Sequence, residues 1–184
     1  MPPSEPRRFA RLRADPGPDH PGTSAVPDDG MCLSAFLVVR PEGRAGEVLM
    51  GRIDPAADWA TIGGLDPGRV ARIARRWMLP SSQLLLFESP TDAADRIARE
   101  QLGVPLPGLT GPATFSEAYR RPGATGDPHW DLHFVYEARW PSDRFPPSRA
   151  FAELGFVRTA TLPRAEIARA QADVLALVGV RVAP

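Results

Sequence analysis

The sequence predicts an α/β protein: a mixed β-sheet held between helices, an α/β/α sandwich. Three observations predict it. Short apolar or alternating runs at 32–40, 47–52, 114–120, 129–138 and 153–158 read as strands. A helix with complete start and stop signals, Ser89 to Gly103, falls between the second and third of them. A second helical pattern follows Pro163. Strands interleaved with one central and one C-terminal helix give a sheet covered on both faces.

Each element has its own physical reason. Residues 1 to 30 are rich in Pro, Gly, Arg and Asp and show no hydrophobic period. They bury too little apolar surface to offset ordering entropy, which predicts a disordered tail ahead of a domain spanning 31–184. Met31 opens the globular part and is an alternative start of translation. Cys32 to Arg40 is almost continuously apolar, as a strand buried on both faces would be. Pro41 to Gly46 makes a turn, Glu47 to Arg52 returns as a strand, and 54–68 reads as loop. Asp66 followed by Pro67 is an N-cap with proline in the first helical position, so a short helix carries Val70, Ile73, Ala74 and Trp77.

The central helix is the best defined. Ser89 caps it, Pro90 begins it, Asp92 completes a capping-box-like pattern and Gly103 stops it. Asp92, Arg96 and Glu100 alternate in charge at i, i+4, while Ala94, Ala98 and Leu102 repeat every four residues and face the sheet. After a linker at 105–112, Thr114 to Arg120 alternates as a strand does. In 129–138, Trp130, Leu132, Phe134 and Tyr136 form an apolar face opposite His129, Asp131, His133 and Glu137. Residues 140–147 are loop, 153–158 a strand, and a last helix runs from Pro163 to about Leu177.

Composition narrows the classes of function. Asp and Glu match Lys and Arg at 22 each, net charge is zero and pI is about 6.8, so no bulk basicity draws the chain to nucleic acid or to a lipid surface. All the basic residues are Arg, a compositional bias that weakens any phosphate-binding argument from Arg number alone. The lone Cys32 excludes an internal disulfide and a multi-cysteine metal site, and reads as a small core residue. No apolar run approaches the ~20 residues of a membrane span. The first residues lack the apolar stretch of a secretion signal, so the expectation is a cytoplasmic protein.

The stretch from Trp77 to Val104, W-M-L-P-S-S-Q-L-L-L-F-E-S-P-T-D-A-A-D-R-I-A-R-E-Q-L-G-V, carries the most information. It resembles the Nudix signature, G-x5-E-x7-R-E-U-x-E-E-x-G-U with U a bulky aliphatic. Ser82 stands at the first Gly, Glu88 at the first Glu and Arg96 at the Arg. Ile97 replaces a Glu, Ala98 takes the aliphatic place, Glu100 fits, Gln101 replaces the last Glu, and Gly103 and Val104 fit. The resemblance covers roughly 31–177 and implies a Nudix-type α/β/α sandwich with a mixed sheet. It also implies Mg²⁺ or Mn²⁺ on helix carboxylates, activating water against a nucleotide-like organic pyrophosphate. Within it, Glu88 and Arg96 resemble a structural salt bridge that fixes the loop to the helix, with direct metal binding by Glu88 as the other reading. A homodimer is an option the resemblance allows, and no feature of the sequence selects an interface.

Positions 97, 100 and 101 share one face of a regular helix. A hard divalent ion takes about six oxygen ligands. Ile97 supplies none, Gln101 a neutral amide oxygen, and Glu100 the one carboxylate. Glu100 is either the surviving ligand and catalytic carboxylate or the end of a surface charge ladder. Ser81 and Ser82 replace a Gly-Gly pair, and their hydroxyls can meet a phosphate or simply belong to an ordinary loop. Glu117, on the strand after the box, is a candidate base or ligand, or an exposed strand carboxylate. His129, Asp131 and His133 recur at i, i+2, i+4, about 6.8 Å apart along a strand. They read as a metal or proton-transfer cluster in the same cleft, or as a solvated or hydrogen-bonded polar face. Arg76 and Arg120, each in an Arg pair beside a loop, are candidate phosphate ligands or solvated surface. Trp59, Trp77 and Tyr119 are candidates to stack on a base, with core packing the alternative for Trp77. Two functions follow from the resemblance. One is a divergent hydrolase of a nucleoside-diphosphate-like pyrophosphate with an incomplete metal site. The other is a catalytically inactive module binding a nucleotide-like ligand or a protein partner.

Overall fold

The structure, a computed structural model, describes residues 11–12, 30–119, 129–168 and 171–184. The elements are β1 (Arg11–Leu12), β2 (Gly30–Pro41), β3 (Glu47–Ile53), α1 (Trp59–Ile62), α2 (Pro67–Ile73), β4 (Ser81–Gln83), α3 (Pro90–Ile97), β5 (Thr110–Tyr119), β6 (His129–Trp140), β7 (Phe151–Arg158) and α4 (Gln171–Leu177). Five strands form one sheet in the order β1-β2-β6-β5, with β4 also on β2; β3 and β7 form a second, antiparallel pair. The sheet is mixed: β2 and β6 run parallel from Gly30–His129 to Pro41–Trp140, and the other pairings are antiparallel. The expected tail falls largely outside the described residues, apart from Arg11–Leu12, which pairs with Met31 and Cys32, and Gly30, which opens β2 opposite His129.

Strand β2 explains the sandwich. Its odd residues Ala35, Leu37 and Val39 pack with Ala93, Ala94, Ile97, Ala98 and Leu102 of the central helix. Its even residues Phe36 and Val38 pack with Ala172, Val174 and Leu175 of α4. Strand β3 divides likewise, Leu49 and Ile53 to one side and Val48 and Met50 to the other. A near-continuous apolar run is what a strand between two cores requires. Gly51 of β3 lets β7 approach closely, because a Cβ there would lie 2.5 Å from Phe151 Cδ1 and 2.8 Å from the Glu153 carbonyl oxygen.

The helix caps match the sequence signals. Asp66 accepts from the Arg69 amide at 2.8 Å, with Pro67 in the first turn of α2. That amide holds the Asp66 carboxyl below its ordinary range, with Arg72 adding to the effect. Ser89 Oγ accepts from the Asp92 amide at 3.1 Å, and α3 begins at Pro90.

Three expectations are corrected. The region read as loop, 54–68, contains the short helix α1, capped by Asp58. Trp77 lies beyond α2 and bridges to Ile167 as extended chain, its indole 4.9 Å beneath the Arg52 guanidinium. The last helix starts at Gln171, not Pro163. Arg164–Glu166 is a single 3-10 turn, and the Trp77–Ile167 bridge keeps the following backbone extended. No helix among the described residues is long and apolar enough to cross a membrane.

Candidate functional site

The box begins on β4. Ser81, Ser82 and Gln83 pair with Phe36, Ala35 and Ser34, so Ser82 shares the Ala35 side of the sheet, where α3 packs. Arg96 is 8 % exposed and joins this strand to the loop that follows. Its Nη2 donates to the Gln83 carbonyl at 2.9 Å and its Nη1 to Ser82 Oγ at 3.4 Å. The Glu88 carboxylate accepts from Arg96 Nε at 2.7 Å, from Arg96 Nη2 at 2.8 Å and from the Leu85 amide at 2.8 Å. A bidentate, nearly buried pair with a backbone donor added is the strong form of such a bridge. It occupies both Glu88 oxygens.

To return Glu88 to the Leu85 amide, the chain turns through Phe87 at φ +66°, leaving that ring 95 % exposed. Sequence reasoning missed Phe87, since a positive φ is signalled by Gly and, less strongly, by Asn, Asp or His, and not by Phe. Helix α3 continues through Ala98–Leu102 as a π turn and stops at Gly103, φ +76°, in the left-handed conformation expected of a helix stop.

Gln101 is fully buried and clamps three segments together. Its Oε1 accepts from the Ser81 amide at 3.0 Å, and its Nε2 donates to the Ser81 carbonyl at 2.8 Å and the Ile62 carbonyl at 3.2 Å. Ser148 Oγ donates to the Gln101 carbonyl. The amide of Gln101, read from the sequence as a metal ligand, binds backbone in the interior. Ile97 is likewise fully buried, in the α3-side core. Glu100 alone of the three keeps an accessible side chain, 26 % exposed, with Oε2 3.9 Å from Arg96 Nη1.

The remaining candidates fall elsewhere. Ser81 Oγ donates to the Leu79 carbonyl at 3.1 Å and Ser82 Oγ to the Gln83 carbonyl at 3.0 Å. Arg76 is exposed just beyond α2. Arg120 lies outside the described residues, as does the side chain of Tyr119. Trp59 is a core residue, its Nε1 donating to the Asp54 carbonyl at 2.9 Å.

Glu117 pairs in register with Asp131 and thence with Cys32, and Phe115 with His133. Phe36 and Phe115 belong to the core beneath α4, so this row projects from the α4 side of the sheet. The sheet therefore lies between Glu117 and the box helix, and the structure does not bring Glu117 or the histidines into one cluster with Glu100. The histidines are not solvated: His129 is 1 % and His133 3 % exposed, and His129 is hydrogen-bonded to Asp131, while Trp130 on the opposite face is 49 % exposed. Phe36 and Phe115 of the α4-side core cover His133, whereas the helix-covered part of the other face begins only near Phe134.

An α/β/α sandwich whose edge strand, loop and helix are strapped by one buried Arg–Glu pair defines the class of fold. The sequence matches no family model and no curated protein. Solved structures do resemble it. A MutT NUDIX hydrolase from Burkholderia pseudomallei shares 20% identity over 82% of this chain and 99% of its own, TM-score 0.54. The Escherichia coli dihydroneopterin triphosphate pyrophosphohydrolase shares 14% over 80% and 92%, TM-score 0.54. The NUDIX domain of Shewanella oneidensis NrtR, solved with ADP ribose, shares 14% over 82% and 88%, TM-score 0.54. The chain has the Nudix fold.

That fold implies a divalent ion at the box, and the residues present do not fit a resident one. Glu88 is committed to Arg96, Ile97 is core, and the Gln101 oxygen and Ser81 carbonyl are bonded as described. Glu100 remains, one carboxylate against the about six oxygens a hard cation takes.

Proposed function

We propose that the protein is a divergent Nudix-type hydrolase of a nucleoside-diphosphate-like organic pyrophosphate, working with an incomplete metal site. The observation that supports this reading is Glu100: an accessible carboxylate on a box helix whose strap to the loop, Glu88–Arg96, is complete. Glu100 accepts a proton from, or orients, the water that attacks phosphorus. Arg96, held by Glu88, keeps Glu100 at the rim of the box. Ser81, half-buried at the start of β4, and the exposed Arg76 are the candidates to meet phosphate oxygens, Ser82 being buried with its hydroxyl bonded to Gln83 and Arg96, and Phe87 offers an exposed ring for a base. Any Mg²⁺ or Mn²⁺ enters on the phosphates of the ligand, since of positions 97, 100 and 101 Glu100 alone offers an accessible carboxylate.

A second reading is motivated by the burial of Ile97 and Gln101: a non-catalytic module that binds the same ligand. One experiment separates the two. The protein is incubated with a panel of nucleoside diphosphate derivatives and Mg²⁺ or Mn²⁺, and binding of a nonhydrolysable dinucleotide analogue is followed by calorimetry. Turnover lost in Glu100→Gln with analogue binding retained supports the hydrolase. Binding without turnover moves the protein to the module reading, and neither binding nor turnover removes both.

A further inference from the structure

On the α4 side of the sheet, away from the box, we infer a second site: Glu117, Asp131 and His133 bind a divalent transition-metal ion of the zinc class. One ligand atom from each of these residues lies within 4.8 Å of the other two. They come from β5 and β6, with Glu117 and Asp131 directly paired across the strands, so rigid sheet backbone positions the ligands.

His133 carries the argument. It is 3 % exposed, and neither Nδ1 nor Nε2 has a hydrogen-bond partner. A buried imidazole with both nitrogens unbonded is rare, because unmade hydrogen bonds in a protein interior are costly. Its ring is held by Phe36, edge-on at 4.9 Å, and by Phe115, stacked at 5.8 Å. Nε2 stops 3.9 Å from Glu117 Oε1, too far for a hydrogen bond. Two ligands on a tetrahedral zinc ion, with bonds of about 2.1 Å, stand roughly 3.4 Å apart, so a cation between these atoms requires only a small closing movement. It also neutralises two carboxylates sharing a small volume.

A supporting shell is in place. His129 Nε2 is 3.0 Å from Asp131 Oδ1, the bond that orients a ligating carboxylate. Cys32, paired with Asp131 on β2, lies on the far side of it. One imidazole and two carboxylates suit Zn²⁺ or Mn²⁺ and leave at least one coordination position open. Glu117 and Asp131, with side chains 20% and 16% exposed, form the open side of the site. The inference does not depend on hydrolysis at the box.

The test uses the full chain, stripped with a chelator and titrated with Zn²⁺ by calorimetry and with Co²⁺ by visible absorption. One ion per chain is expected. Glu117→Gln, Asp131→Asn and His133→Gln each weaken binding at least about tenfold and abolish the Co²⁺ bands, whereas Glu100→Gln changes neither. Circular dichroism checks that each variant is folded. If the buried His133→Gln fails to fold, the more exposed Glu117→Gln and Asp131→Asn decide. No Zn²⁺ binding to the wild type overturns the site, as does binding unchanged in both carboxylate variants or lost in Glu100→Gln.

Discussion

Replacing Gln101 with Glu adds back the carboxylate of the Nudix pattern, yet the structure predicts that it damages the protein. The Nε2 group gives hydrogen bonds to the Ser81 and Ile62 carbonyls at 2.8 and 3.2 Å, in a fully buried place. In Gln101→Glu an ionised carboxylate faces two acceptors and satisfies neither. Each orphaned buried acceptor costs about 1–3 kcal/mol, so the expected loss from the two is roughly 2–6 kcal/mol at alkaline pH. Protonated, the new group donates once and recovers one of the bonds, which leaves a loss of about 1–3 kcal/mol. Burial and the carbonyls raise the folded-state pKa of the introduced carboxyl above the ~4.3 of the unfolded chain. The folded state then holds more protons, so stability falls as pH rises from that unfolded value through the folded one, by at most about 1.4 kcal/mol per pH unit. Urea unfolding followed by circular dichroism at pH 5 and pH 8, for both proteins, measures this. A variant as stable as the wild type at pH 8, or more stable there than at pH 5, refutes the clamp as described.

Three further outcomes follow from the packing. Glu88→Gln breaks a buried pair from one side and costs about 3–5 kcal/mol in a denaturant titration, more than the double variant with Arg96→Met. Asp66→Ala removes the α2 cap and costs about 1 kcal/mol near neutral pH. Because the Asp66 carboxyl is held below its ordinary range, that difference is present above the unfolded pKa and disappears as pH falls through the folded one, which melts at pH 7 and pH 2 check. Gly51→Ala sets a Cβ against the Glu153 carbonyl oxygen at 2.8 Å, which cannot move as a side-chain tip can, and should lower stability by about 1–3 kcal/mol in the same titration.

What the sequence revealed, it revealed through local patterns. The caps at Asp66, Ser89 and Gly103, the apolar run of β2 and the spacing of the box all depend on neighbours within a few residues. What it concealed depends on distant chain. Gln101 looks like a ligand position with a neutral amide; its real partners, Ser81 and Ile62, lie 20 and 39 residues away. His133 alternates with apolar residues as a residue of a wet face would, and Phe36 and Phe115 of the α4-side core turn it inward. Pro163 carries a helix-start signal that the Trp77–Ile167 bridge overrules. Phe87 gives no local sign of the turn it occupies.

Strand β2 hands alternate side chains to two different cores and is aligned with β6 along its entire length, from Gly30–His129 to Pro41–Trp140. A slip by one residue would therefore not merely expose an apolar face. It would exchange the two inventories at once, sending Ala35, Leu37 and Val39 under α4 and Phe36 and Val38 under the box helix. Small residues would meet space shaped for Phe36, and its ring would meet the alanines of α3. The alignment is thus tested twice, independently, from above and below, and misfolded registers have no partly satisfied refuge in which to persist.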